Sequence, residues 1–123
     1  MGAKILFVDD ELEMCFMVSN LLRHHGYDVV TAENADVALG QADAYPLSLI
    51  ILDANLAGED GFKLMTFLKQ NHPDVPIIIY TGMSHDEDTV QRALAMGARQ
   101  YLRKGAPVDE LISAVKAAVP AEP

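Results

Sequence analysis

Two stretches of the chain, Leu47-Ser48-Leu49-Ile50-Ile51-Leu52 and Ile77-Ile78-Ile79-Tyr80, run almost wholly apolar without alternating. A strand with one face in water alternates apolar and polar residues; one that does not alternate has both faces covered. Central strands of a parallel sheet meet that condition, because their crossover helices pack on both sides. Three more short runs, Lys4–Asp9, Asp28–Ala32 and Arg99–Lys104, are rich in Ile, Val and Leu. With Leu47–Asp53 and Pro76–Thr81 they make five candidate strands. Each is followed by a longer amphipathic stretch. The first of these puts Met14, Met17, Val18, Leu21 and Leu22 at helical spacing and stops at Gly26. The last carries Val108, Leu111, Ile112, Val115 and Val119, with Pro107 at its first turn. Helices are also predicted near 35–44, 61–72 and 86–97, the last ended by Gly97. Gly40 weakens the first of the three by about 1 kcal/mol relative to Ala. A (βα)5 alternation predicts an α/β fold, a doubly wound five-stranded parallel sheet with right-handed crossovers.

At 123 residues the chain is one domain's worth, expected to form a single unit over 1–123 with its core at about 4–119. Nine basic against eighteen acidic side chains give a net charge of −9. Phosphate-bearing polymers and anionic lipid would be repelled, so direct nucleic-acid or membrane-surface binding is not expected. Cys15 is the only cysteine, which excludes an internal disulfide and fits a reducing cytoplasm. No run approaches the roughly 18 apolar residues of a membrane span. The apolar opening Ile5–Val8 runs straight into Asp9-Asp10 and is no signal peptide. Met1-Gly2 lacks the Ser or Thr that myristoylation wants, since Leu6 stands there. A cytoplasmic location follows as the expectation, with 120–123 as a frayed tail.

In open α/β sheets, ligands collect at the carboxyl ends of the strands. Those ends read Asp9-Asp10, Glu33-Asn34, Asp53, Thr81-Gly82 and Lys104-Gly105. Three carboxylates converging there repel one another unless a cation compensates. Lys104 is one candidate. A divalent metal is the other, and all-oxygen ligands favour Mg²⁺. Taken singly, each residue has a plainer role: Asp10 as a helix N-cap, Thr81-Gly82 as a turn, Lys104 as a solvated surface side chain. The full set at successive strand ends favours a site.

Phe7-Val8-Asp9-Asp10-Glu11, Leu52 through Gly61, Tyr80-Thr81-Gly82 and Gly97 through Lys104 together resemble the receiver domain of bacterial two-component response regulators. The resemblance spans 4 to about 119 and implies the flavodoxin-like strand order 2-1-3-4-5. It implies a phosphorylation-controlled interaction switch rather than a metabolic enzyme. Asp53 would accept a phosphoryl group from a sensor histidine kinase or histidine phosphotransfer protein. Asp10 would ligate Mg²⁺ directly, with Asp9 assisting through water and Asp53 and the Asn55 carbonyl completing the metal set. Thr81 and Lys104 would contact phosphoryl oxygens, and Tyr101 would change rotamer on activation. The chain would then act on an output domain or target protein, with room for a phosphorylation-dependent dimer. The chemistry is coherent, since phosphoryl transfer needs an in-line nucleophile and cations on the phosphoryl oxygens.

Two positions depart from the family. Ala57 stands where Pro is usual, which loosens that loop, and Gly105 replaces a common cis Pro after the lysine. Lys104-Gly105-Ala106-Pro107 is similar to members that carry a helix-turn-helix output domain. On the first helix the core stripe leaves Cys15 and Phe16 outside, so both are expected to be partly exposed near Asp53 and to meet the donor's helix. The alternative is a small rotation that buries Phe16; for Tyr101 it is permanent packing in the core.

Other readings fit the fold less well. A flavodoxin-type FMN binder needs a Ser/Thr/Gly-rich loop where Asp9-Asp10-Glu11-Leu12-Glu13 stands. A haloacid-dehalogenase-type phosphatase wants its nucleophile on the first strand with an acid two residues on, and a cap domain. A degenerate, binding-only receiver would lack part of the acceptor set.

Overall fold

The computed structural model describes residues 3–56, 58–82 and 85–119. The Met1-Gly2 start, Ala57 and the 120–123 tail lie outside them. Along the chain run β1 (Lys4–Val8), α1 (Leu12–His24), β2 (Asp28–Ala32), α2 (Ala35–Ala44) and β3 (Leu49–Leu52). Then come β4 (Asn55–Leu56), β5 (Glu59–Asp60), α3 (Gly61–Asn71), β6 (Ile77–Thr81), α4 (Glu87–Ala95), β7 (Gln100–Arg103) and α5 (Val108–Ala118). The main sheet has the order β2-β1-β3-β6-β7, every pairing parallel. Counted as five successive runs this is 2-1-3-4-5, as the resemblance implied. The antiparallel β4–β5 hairpin was not expected.

The central strands lack alternation because successive residues enter two different cores. Leu6, Val8, Ile50, Leu52, Ile77 and Ile79 pack with Leu64, Met65 and Leu68 of α3 and Ala93 of α4. Ile5, Phe7, Leu49, Ile51, Ile78 and Tyr80 pack on the other face with α1 and α5, through Val18, Leu22, Leu111 and Val115. Each such aliphatic side chain, fully buried, contributes about 1.5–3 kcal/mol. At the amino-terminal edge of the sheet, the Tyr27 hydroxyl donates to the Val119 carbonyl at 3.0 Å, tying the end of α5 to the turn before β2.

Two helix faces differ from expectation. In α1, Cys15, Val18, Ser19 and Leu22 are the buried positions, while Met17 is 49% exposed. Apolar residues run unbroken from Met14 to Val18, so hydrophobicity alone leaves the helix phase open. Packing settles it: the small Cys15 and Ser19 let α1 lie close to the sheet, and the Cys15 thiol donates to the Asp9 carbonyl at 3.3 Å. In α5, Val108 is the first helical residue and is 39% exposed; the rest of the expected stripe is buried. Among the described residues, no helix is long and apolar enough to cross a membrane.

Register fixes what comes next. Val8 pairs with Leu52, so Asp9 and Asp53 leave neighbouring strands side by side. The Asp53 amide donates to the Val8 carbonyl at 3.0 Å and the Asp9 amide to the Ala32 carbonyl at 3.0 Å. Gly61 opens α3 hard against this point. A Cβ there would lie 2.7 Å from the Ala54 Cα and would overlap the Asp53 carbonyl oxygen. Only glycine lets the β4–β5 hairpin fold back onto the backbone that carries Asp53.

Candidate functional site

An open cleft of about 430 Å³ at the carboxyl ends of the strands is lined by Asp10, Glu11, Asp53, Asn55, Thr81, Gly82 and Lys104. Asp53 lies at its base, 5% exposed. Its Oδ1 accepts from the Thr81 hydroxyl at 2.6 Å and from the Asn55 amide at 3.0 Å. Its Oδ2 accepts from Lys104 Nζ at 2.8 Å. Lys104 follows β7, and its amide donates to the Thr81 carbonyl at 3.1 Å, which carries its side chain across the end of β6 toward Asp53.

Lys104 neutralises more than one acid. Nζ lies 2.8 Å from Asp9 Oδ2 and 3.0 Å from Glu11 Oε1, as well as on Asp53. Burial alone would depress the ammonium's pKa, but the carboxylates of Asp53, Asp9 and Glu11 against it outweigh that and hold it above the ordinary lysine value. Asp9 is fully buried, and that desolvation raises its carboxyl pKa despite the nearby lysine. Burial also pushes the Cys15 thiol up to about 11, with Asp9 and Glu33 adding to the effect.

Oxygen atoms of Asp9, Asp10 and Asp53 lie within 4.8 Å of one another, a set that could hold a metal ion. Asp9 Oδ2 adds a second sign. It is buried, its contact with Lys104 lacks hydrogen-bond geometry, and no other donor reaches it among the described residues. Held by that ion pair without a hydrogen bond, the buried oxygen keeps acceptor capacity that a metal ion can use. Hard, all-oxygen donors suit Mg²⁺ or Ca²⁺.

The expected residues Asp9, Asp10, Asp53, Asn55, Thr81 and Lys104 therefore meet at one place. Asp10 is no N-cap: that position falls to Glu11, whose side chain makes no capping bond. Tyr101 is half-buried, its ring edge-on to His85 at a centroid distance of 5.0 Å, and it packs against the core beneath α3 and α4. Phe16 is exposed, at 73%, as expected. Cys15 corrects the expectation. At 7% exposed it is a core residue beneath Asp9 and offers a partner nothing. Glu11 was not singled out as a site residue. An acid beside a metal-type Asp pair reads as solvated charge, and its partner Lys104 is 93 residues away.

Residues 5–116 match the sequence profile of the family described as the response regulator receiver domain. The nitrogen assimilation regulatory protein NtrX of Azorhizobium caulinodans is 36% identical over 114 residues, which is 91% of this chain and 25% of that protein. The crystal structure of the receiver domain of NtrX from Brucella abortus aligns with a TM-score of 0.85 at 32% identity, covering 93% of this chain and 96% of that one. A response regulator from Burkholderia pseudomallei, solved with a phosphorylated aspartic acid, calcium ion and citrate, aligns at 0.84 and 31% identity over 92% of this chain and 66% of that one. The chain spans between 25% and 52% of the length of the curated relatives it matches first.

Proposed function

The chain belongs to the response regulator receiver domain family, and from that premise we propose that Asp53 takes a phosphoryl group from a phosphohistidine on a sensor kinase or phosphotransfer protein. The observation that carries this reading is a buried carboxylate facing an open cleft, with a hydroxyl, a backbone amide and an ammonium all aimed at its two oxygens. The phosphorylated aspartic acid of the similar Burkholderia protein supports the same chemistry here.

An Asp53 oxygen attacks phosphorus in line, forming a P–O bond as the donor's P–N bond breaks; the imidazole leaves with the electron pair and gains a proton from solvent. Asp9, Asp10, Asp53 and the Asn55 carbonyl would hold Mg²⁺, which when bound supplies positive charge to the phosphoryl oxygens. Lys104 pairs with one of those oxygens, and the Thr81 hydroxyl turns to donate to another. Residues 4–119 act as one cytoplasmic receiver unit that signals by protein contact, not by metabolic turnover. The chain catalyses its own phosphorylation and dephosphorylation. The receiver passes its signal to an output domain or target protein. Incubation with acetyl phosphate and Mg²⁺ is expected to add one acid-stable, base-labile phosphoryl group, read by intact mass. No mass gain would overturn the reading.

Once Thr81 moves to the phosphoryl group, Tyr101 swings inward to fill the space it leaves, reshaping the surface of α4, β7 and α5. A ~100-fold preference of the phosphoryl group for that arrangement needs only about 2.7 kcal/mol. Structures with and without beryllofluoride read this directly. The same Thr81 and Tyr101 rotamers in both would leave Tyr101 as a fixed packing residue.

Leu12, Phe16 and Met17 form an exposed apolar patch on α1, with exposures of 67%, 73% and 49%. We assign this patch to docking of the donor's histidine-bearing helix. Burying one aromatic is worth ~1.5–3 kcal/mol, so Phe16→Ala is expected to slow transfer from a cognate donor about tenfold or more. Uptake from acetyl phosphate, which needs no docking, stays at the wild-type rate. Equal donor kinetics in both chains would remove Phe16 from the interface.

A further inference from the structure

Three carboxylate oxygens, from Asp53, Asp9 and Glu11, lie within 3.0 Å of the Lys104 ammonium. Asp53 Oδ2 and Glu11 Oε1 take hydrogen bonds from it, while Asp9 Oδ2 sits against it as an ion pair without one. A phosphoryl oxygen arriving at Asp53 competes with these acids for the ammonium, and Glu11 is the one placed to give way. Asp9 is fully buried, and Asp53 is the reacting group. The Glu11 side chain is 63% exposed, and water can take over its solvation at once.

The local structure shows that Glu11 is committed to Lys104 and not to its own helix. It occupies the N-cap of α1, where Ser, Thr, Asp and Asn are favoured because their side chains reach the first helical amides. Glu11 makes no such bond. Its amide instead donates to Asp9 Oδ1 at 2.9 Å, fixing its backbone beside the acidic cluster, and its carboxylate spans to Lys104 Nζ at 3.0 Å. A broken local preference with a long-range partner is the pattern of a residue kept for the site.

We propose that Glu11 is a positioning residue that holds Lys104 while Asp53 is unmodified and yields it to the phosphoryl group. The inference rests on Asp53 being the acceptor. Because Glu11 competes with the phosphoryl group for the same ammonium, Glu11 opposes the modified state and limits how far Asp53 stays occupied.

Beryllofluoride, a phosphoryl mimic, is titrated at saturating Mg²⁺ into wild type, Glu11→Gln, Glu11→Ala and Asp74→Asn, with binding followed by amide NMR. Asp74 is an exposed acid before β6, at the end of the sheet away from the cleft, and controls for bulk charge. Glu11→Ala is expected to bind about twofold to fivefold more tightly than wild type, as fits an exposed ion pair. Glu11→Gln lies between them, because its amide oxygen still accepts from Lys104. Asp74→Asn matches wild type. Equal or weaker binding by Glu11→Ala overturns the proposal, as does the same gain in Asp74→Asn. A structure of the wild-type beryllofluoride complex gives a second readout, in which Glu11 is expected beyond hydrogen-bond reach of Lys104. Retention of that bond overturns the proposal. Wild type that binds no beryllofluoride overturns the acceptor assignment itself, an outcome distinct from unchanged affinity in the variants.

Discussion

Asp53→Asn is expected to take up no phosphoryl group from acetyl phosphate or from a histidine donor. An amide oxygen is a weak nucleophile, and the acyl phosphate that a carboxylate forms is not available to it. The substituted chain should still fold. Asparagine keeps the shape of Asp53, and its oxygen can accept from the Thr81 hydroxyl and the Asn55 amide as Oδ1 does now. Intact mass after incubation with Mg²⁺ and donor reads the result, with circular dichroism as the check on folding. A folded Asp53→Asn chain that gains the modification at the wild-type rate would move the acceptor elsewhere.

Lys104→Ala is expected to act on both chemistry and stability. Losing one preorganised positive group at the phosphoryl oxygens slows uptake about 100-fold or more. In the absence of metal it also leaves Asp9 and Asp53, both buried, without their cation. Breaking a buried pair from one side costs about 3 kcal/mol or more. Mg²⁺ should restore part of that loss, because a divalent ion bound at the three aspartates favours the folded state by mass action. Urea unfolding with and without Mg²⁺ measures it. If metal-free Lys104→Ala unfolds at the wild-type midpoint, Lys104 is not what makes the acidic cluster tolerable.

The sheet was legible in the sequence because its central strands are buried on both faces, which leaves runs such as Ile77–Ile79 with no competing explanation. The acceptor set was legible because each member sits at a strand end, where topology brings distant residues together. The phase of α1 was not, since five consecutive apolar residues allow more than one buried stripe. Choosing among them depended on how closely a helix bearing Cys15 and Ser19 can approach the sheet. The β4–β5 hairpin escaped because each strand is two residues long, too short for any periodicity. Glu11 was hidden for a different reason. Its sequence neighbours explain its charge well enough, and only the folded chain brings it to Lys104.

The bond between Tyr27 and Val119 sets where anything joined after α5 would begin. That point lies at the edge of the sheet opposite the acidic cleft, about 16 Å away along a five-residue strand. An attached segment would start out of reach of the phosphoryl group. News of Asp53 would have to arrive mechanically, through the lean of α5 and the strand beneath it. The tether would serve as the fulcrum, so loosening Tyr27 would blunt the message without touching the chemistry that starts it.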